Sequence, residues 1–133
     1  MRIIALISLP LGFIFVLVTP GISQPQKNNR EFMRAKLKHS QEIVEGLALE
    51  NFDQIVKNAQ QLTLLSHATN WQVFQTEEYV TQSREFRRAT EALRDQAKQK
   101  KLEGAVLAYM DVTMKCVNCH KYIRSIRMAK LDR

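Results

Sequence analysis

Residues 102–128 read LEGAVLAYMDVTMKCVNCHKYIRSIRM and carry the longest helical pattern of the chain. Apolar, small or cysteine side chains recur every three or four residues, which places them on one face of an α-helix. This face consists of Leu102, Ala105, Tyr109, Val112, Cys116, Cys119, Ile123 and Ile126. No proline follows Pro25 in the 133-residue chain, so no proline interrupts the pattern. The stretch therefore predicts a long C-terminal helix in an all-α fold.

Three earlier segments show the same spacing and predict helices over about 29–47, about 51–69 and from 77 onward. Asn51 and Thr76 precede the second and third segments and are of a type that caps helix N-termini. The predicted inner faces are Met33, Leu37, Ser40, Val44 and Leu47; then Phe52, Ile55, Ala59, Leu62 and Leu65 or Ser66; then Tyr79, Ser83, Phe86, Ala89 or Thr90, Leu93 and Ala97. Four such helices with short connections predict an antiparallel four-helix bundle. Its core would be thin, so a buried cofactor would supply apolar volume that the bundle lacks.

The first residues have the pattern of a secretory signal peptide. Arg2 precedes an apolar run over residues 3–18, and small residues follow at Gly21 and Ser23. We expect cleavage after residue 23, export to the periplasm and a mature domain over residues 24–133. The alternative is an uncleaved membrane anchor, for which the apolar run is short.

Both cysteines of the chain lie in one pentapeptide, Cys116-Val117-Asn118-Cys119-His120. This is the C-x-x-C-H pattern of covalent haem c attachment. Positions i, i+3 and i+4 share one face of a helix, so two thiols can meet the two vinyl groups while the imidazole meets the iron. The pattern predicts one haem c, attached through Cys116 and Cys119, with His120 as the iron ligand. Export agrees with this prediction, because haem c is attached outside the cytoplasm.

Three haem-free interpretations of the cysteines remain open. A thioredoxin-like thiol pair would need its C-x-x-C at a helix N-terminus in an α/β fold. A zinc site would need a fourth ligand, for which His39 and His67 are the spare histidines. The third interpretation is a purely structural cysteine pair in an exported protein.

The position of the motif near the C-terminus restricts what can lie on the other face of the iron. Met128 follows His120 on the same predicted helix, and Met110 and Met114 precede it there. A helix that supplies His120 cannot also carry its own side chain to the opposite face of the ring. Any distal group must therefore come from another helix.

The mature chain resembles the cytochrome c prime family, the class II c-type cytochromes. The most specific match is residues 116–124, CVNCHKYIR, because the family has an aromatic residue and then an Arg soon after the haem histidine. Arg124 matches the Arg, whereas Ile123 stands at the aromatic position with Tyr122 before it. A second match is the apolar second helix with Trp71 and Phe74 near its end.

This resemblance implies a five-coordinate iron covered by an apolar side chain of the first helix, open to small gases such as NO and CO. Leu37 best fits this distal position and is then expected to be buried. Met33 is the alternative and would give a six-coordinate electron-transfer cytochrome. Arg34 is expected near a haem propionate, and Arg124 beside His120. The resemblance also implies an electron-transfer or gas-binding protein rather than an enzyme, and a possible homodimer.

The charge of the chain limits its partners. The formal net charge is +7, with a concentration of cations after residue 114. These are Lys115, Lys121, Arg124, Arg127, Lys130 and Arg133. Such a patch could attract an acidic redox partner protein, or it could be a solvated helix end. An exported chain without a nucleic-acid-binding motif is not expected to bind nucleic acid, nor a membrane once its signal peptide is removed.

Overall fold

A computed structural model describes residues 25–68 and 74–131 and confirms the all-α prediction for them. Its four helices are α1 (Pro25–Ala48), α2 (Phe52–His67), α3 (Glu77–Lys98) and α4 (Leu102–Leu131). Each helix packs against the next along the chain, which gives a four-helix bundle in which α1 and α4 make little contact with each other. No helix in the described ranges is long and apolar enough to cross a membrane. The predicted signal peptide and Trp71 lie outside these ranges.

The predicted caps of α2 and α3 are confirmed. The Asn51 side chain accepts a hydrogen bond from the backbone N–H of Gln54, and Thr76 accepts one from Tyr79. Each bond satisfies a backbone donor that the first turn of a helix leaves without a partner.

One end of the bundle, here called the closed end, contains the last turns of α1 and α3 and the first turns of α2 and α4. Glu50 and Lys100 adopt left-handed backbone conformations, with φ of 52° and 54°, in the two short connections. The next N–H in each connection donates back into the preceding helix, Asn51 to Gly46 O at 2.8 Å and Lys101 to Gln96 O at 3.1 Å. These bonds end α1 and α3 and reverse the chain sharply, so both helical hairpins are tight here.

The inner faces predicted for α2 and α3 are buried in the structure. In α3 every predicted position is buried, and in α2 Ile55, Ala59, Leu62 and Ser66 are. Together with residues of α1 and α4 they form a continuous apolar core, whose members are Ile43, Ile55, Ala59, Leu62, Phe86, Ala89, Leu93, Ala97, Ala105 and Val112.

The inner face predicted for α1 is wrong in part. Leu37 is 58% exposed and Val44 is 49% exposed, whereas Ile43 is fully buried and Lys36 is 8% exposed. The reason is that α1 packs on α2 and makes little contact with α4. The side of α1 that faces α2 is therefore buried, and the side that would face α4 stays accessible.

The other end of the bundle, here called the open end, contains the first turns of α1 and α3, the last turns of α2 and the middle of α4. The Ser40 hydroxyl and the Tyr109 hydroxyl form a hydrogen bond of 2.9 Å between α1 and α4. Nearer this end a cavity of about 550 Å³ lies among side chains of all four helices. It contains the face of α4 that carries the cysteines.

Candidate haem-binding site

The cavity at the open end brings together most of the residues that the sequence singles out. Its lining includes six of them: Met33, Arg34, Leu37, Cys116, Cys119 and His120. Its volume of about 550 Å³ lies within the usual range for small-molecule and cofactor pockets, about 300–1,000 Å³. The predicted site residues of α1 and α4 therefore face one common space.

The helical geometry of α4 places the C-x-x-C-H side chains along this space. Cys116, Cys119 and His120 occupy positions i, i+3 and i+4 of an uninterrupted helix. Both cysteines are free thiols and half-buried. His120 keeps an exposed surface while it also lines the cavity. Two thiols and one imidazole on a single face are the protein groups that a haem c needs.

The surroundings of the two thiols keep them protonated. Burial raises the pKa of Cys116, and the nearby Lys36 opposes this only partly. Burial likewise raises the pKa of Cys119. A thiol pair that acts in disulfide exchange typically has a lowered pKa, because the thiolate is its nucleophile. The electrostatics therefore disfavour a thioredoxin-like role for these cysteines.

His120 has the opposite electrostatic tendency. Burial lowers its pKa, and the positive charges of Arg124 and Lys36 lower it further. The neutral imidazole is therefore favoured at neutral pH, and this is the form that offers a nitrogen lone pair to a metal. Arg124 does not line the cavity, but it is near enough to His120 for its charge to lower the pKa of the imidazole.

Leu37 and Met33 occupy the α1 side of the cavity, as expected of candidates for the distal position. The expectation that Leu37 is buried is wrong: its side chain is 58% exposed, because α1 makes little contact with α4. Met33 is half-buried. Arg34 is exposed and lines the cavity together with Arg30, so two cations of α1 lie where the cavity meets solvent.

The spare histidines lie elsewhere. His39 Nδ1 is 2.8 Å from the Asn58 side-chain oxygen, which directs its ring towards α2, and it does not line the cavity. His67 is exposed at the end of α2. Within residues 25–68 and 74–131 no three His, Cys, Asp or Glu side chains lie close enough together to hold a metal ion. A haem needs no such cluster, because the porphyrin supplies four nitrogens.

Two features of the cavity were not predicted: the burial of Lys36, and the buried polar atoms of α3 that have no hydrogen-bond partner among the described residues, although Ser83 itself was predicted on the inner face. Lys36 lines the cavity from α1 but is buried, although a lysine beside Leu37 would be expected on the surface. Ser83 and Gln82 line it from α3, and the Ser83 hydroxyl and the Gln82 side-chain oxygen are buried without a hydrogen-bond partner among the described residues. Buried polar atoms are normally paired with protein groups or with ordered water.

The observed residues fit a haem c: an apolar interior, two thiols and a neutral imidazole on one helix face, and two arginines at the solvent side. Comparison of the chain with protein-family models, curated proteins and solved structures found no significant match.

Proposed function

We propose that this protein is an exported mono-haem c-type cytochrome, similar to cytochrome c prime, that binds small gases such as NO and CO, transfers single electrons, or does both. One observation carries the proposal. Cys116, Cys119 and His120 line a single cavity that is large enough for a cofactor and that opens between α1 and α4. Periplasmic location follows from the signal-peptide pattern of residues 1–23.

The residues of the cavity have distinct tasks in this proposal. Cys116 and Cys119 would hold the haem through thioether bonds to its vinyl groups, and the His120 imidazole would offer a ring nitrogen to the iron. The bound haem supplies a redox-active iron that can accept an electron or a small ligand. Arg30 and Arg34 neutralise the propionates, because guanidinium groups form strong charge-assisted hydrogen bonds to carboxylates.

The state of the iron depends on α1. Leu37 offers no donor atom, so a haem held here with Leu37 beside it would leave a ligand position free for a small gas. Met33 offers a thioether sulfur, and its coordination would instead give a six-coordinate electron carrier. Both residues line the cavity. We favour the open site because the cytochrome c prime family, which the chain resembles, covers its iron with an apolar side chain.

The exposed cations that follow the motif on α4 are a docking surface for an acidic redox partner in this proposal. Lys121, Arg124 and Arg127 are exposed. They lie within two turns of His120, so a partner bound there would be close to the haem. Attraction between opposite charges raises the rate of such encounters, and added salt should slow them.

The test is the spectrum of the protein made with the bacterial haem c maturation system. We expect a red protein that keeps its colour after acid-acetone extraction. We also expect a high-spin ferric EPR signal and CO binding after reduction. A low-spin ferric iron whose reduced form does not bind CO would contradict the open site. Conversion of that spectrum to high-spin by Met33→Ala, but not by Leu37→Ala, would then establish the six-coordinate alternative.

A further inference from the structure

The outer surfaces of α1 and α4 carry most of the large apolar side chains that are accessible to solvent in the described part of the chain. Single exposed apolar residues are normal on a protein surface, whereas a continuous group of them marks an interaction site. The exposed members on these two helices are Leu37, Val44, Val106, Leu107, Met110, Met114, Val117, Met128 and Leu131.

One line of exposed side chains runs along α1 beside the cavity opening. Leu37 lines the cavity and is exposed. Residues three or four apart are neighbours on one face of a helix, so the line can be followed from Leu37 in both directions. It contains no acidic residue. This α1 stripe consists of Arg30, Arg34, Leu37, Gln41, Val44 and Ala48, all of them exposed.

A second line runs along α4. Thr113 lines the cavity from α4 and is exposed. The same spacing of three and four residues leads from Thr113 to three apolar and two basic side chains. Acidic Glu103 precedes the line at the closed end. This α4 stripe consists of Val106, Met110, Thr113, Val117, Lys121 and Arg124, all of them exposed.

The two stripes border the same opening. Leu37 and Thr113 line one cavity, and α1 and α4 make little contact with each other. The stripes therefore lie on the two sides of the gap and together form one surface, here called the α1–α4 face. Its middle is aliphatic. Its cations lie towards the open end, at the start of α1 and in the second half of α4.

We propose that the α1–α4 face binds the surface of a bilayer that contains anionic phospholipid. The aliphatic side chains enter the boundary between headgroups and acyl chains, and the cations pair with lipid phosphates. The net charge of +7 favours the approach to such a surface. Bound haem propionates would neutralise Arg30 and Arg34 in part, so the lipid contact depends mainly on Lys121 and Arg124.

The composition of the face favours lipid over a protein. Neither stripe contains Trp, Tyr or Phe, although Trp and Tyr dominate the binding energy of protein interfaces. A second copy of the chain would bring the basic groups of two identical faces together. An acidic redox partner docked on Lys121 and Arg124 would compete with lipid for these cations. The proposal departs from the expectation that the mature chain binds no membrane, because the face exists only once α1 and α4 lie side by side.

The test measures how much of the mature protein, without its signal peptide, sediments with lipid vesicles. We expect binding to an equal mixture of phosphatidylcholine and phosphatidylglycerol. Binding to phosphatidylcholine alone should be at least about tenfold weaker, because the attraction between cations and anionic lipid is missing. Added salt should weaken binding to the mixture.

The aliphatic part of the contact is tested by a double variant. Val44→Gln with Met110→Gln should weaken binding to the mixture at least about tenfold, because two aliphatic side chains are lost from the lipid contact. Leu64→Gln with Val80→Gln is the matched control. These two residues are 51% and 50% exposed, but they lie on α2 and α3, outside the α1–α4 face. The control should bind within about twofold of the wild type.

The basic part is tested by single variants of equal charge. Lys121→Gln should weaken binding to the mixture about fivefold, as expected for the loss of one cation near an anionic surface. Lys57→Gln removes an exposed lysine of α2 and should weaken binding less than about twofold.

Two results would overturn the proposal. Equal binding of the wild type and of the Val44→Gln, Met110→Gln variant would show that no aliphatic side chain of the face contacts lipid. A wild-type dimer in sedimentation equilibrium that this variant dissociates, without vesicle binding, would show that a second copy covers the face. Neither result depends on haem attachment, so both differ from a failure of the proposed function.

Discussion

The two ends of this bundle are built from the same four helices and differ in how completely they pack. At the closed end, Ile43, Ile55, Leu93, Ala97 and Ala105 are all fully buried. At the open end, Leu37 is 58% exposed and a cavity of about 550 Å³ lies among side chains of all four helices. The same helices thus form a continuous apolar core at one end and leave a cavity at the other.

Residue size explains part of the difference. At the closed end, Gly46 approaches α2 so closely that an added Cβ would lie 2.9 Å from Ile55 Cγ1. Ala97 and Ala105 likewise allow α3 and α4 to come close. At the open end, Lys36 and Ser83 bring polar atoms into the interior and leave an incompletely packed region.

Truncation of a core side chain should show the largest difference in stability loss between the closed end and the open end. In the haem-free protein, Leu93→Ala should lower the free energy of unfolding by about 3 kcal/mol, because it removes a fully buried side chain. Leu37→Ala should lower it by less than about 0.5 kcal/mol, because its side chain is largely accessible. Urea unfolding followed by circular dichroism measures both. Comparable losses would show that α1 packs on α4 in solution.

The buried lysine predicts a pH dependence of the haem-free protein's stability. The folded-state pKa of Lys36 is about 7, below the ordinary value of 10.5, so between these values the unfolded chain binds more protons. Stability should therefore rise with pH across this window, by about 1.4 kcal/mol per pH unit at most, and the rise should be missing in Lys36→Met.

Urea unfolding of the wild type and of Lys36→Met at pH 7 and pH 9, with thiols reduced, isolates the contribution of Lys36 to the pH dependence of stability. The raised pKa values of Cys116 and Cys119 act in the opposite direction above pH 9, but both proteins keep these thiols. The charge of Arg87 is also common to both proteins. If the free energy of unfolding changed with pH in the same way in the wild type and in Lys36→Met, the Lys36 ammonium would be solvated.

Alanine substitutions at the two helical glycines, Gly46 and Gly104, should give the smallest difference in stability. Alanine at Gly46 would meet Ile55 Cγ1 at 2.9 Å and the Asn51 carbonyl oxygen at 3.3 Å, neither of which moves easily. Alanine at Gly104 would meet the end of the Gln96 side chain, which can turn away. We expect Gly46→Ala to destabilise by about 1 kcal/mol. Gly104→Ala should stabilise by up to about 1 kcal/mol through helix propensity. Thermal unfolding distinguishes them by the sign of the change.

The sequence predicts the two central helices well because each has one apolar face and a polar cap residue. In α3 the apolar spacing has a single interpretation, and all its predicted inner positions are buried. The cap of α2 at Asn51 is equally clear. Residues 116–120 could be placed on a helix face for the same reason, since their spacing is helical.

The first helix could not be predicted as well, because apolar residues occur on two of its sides. Leu37 and Val44 form one apolar side and Ile43 lies on another. Which side is buried depends on α1 packing against α2 rather than α4, and this is a property of the assembled bundle. Lys36 is buried for the same reason, and nothing in the sequence around it distinguishes it from exposed Lys38.

The most direct test of the proposed haem site is the mass of the peptide that contains residues 116–120, from protein made with the haem c maturation system. The proposal predicts that this peptide carries the added mass of one haem, and that Cys116→Ala with Cys119→Ala abolishes the addition. An unmodified peptide with two free thiols, from cells that mature a control c-type cytochrome normally, would contradict it.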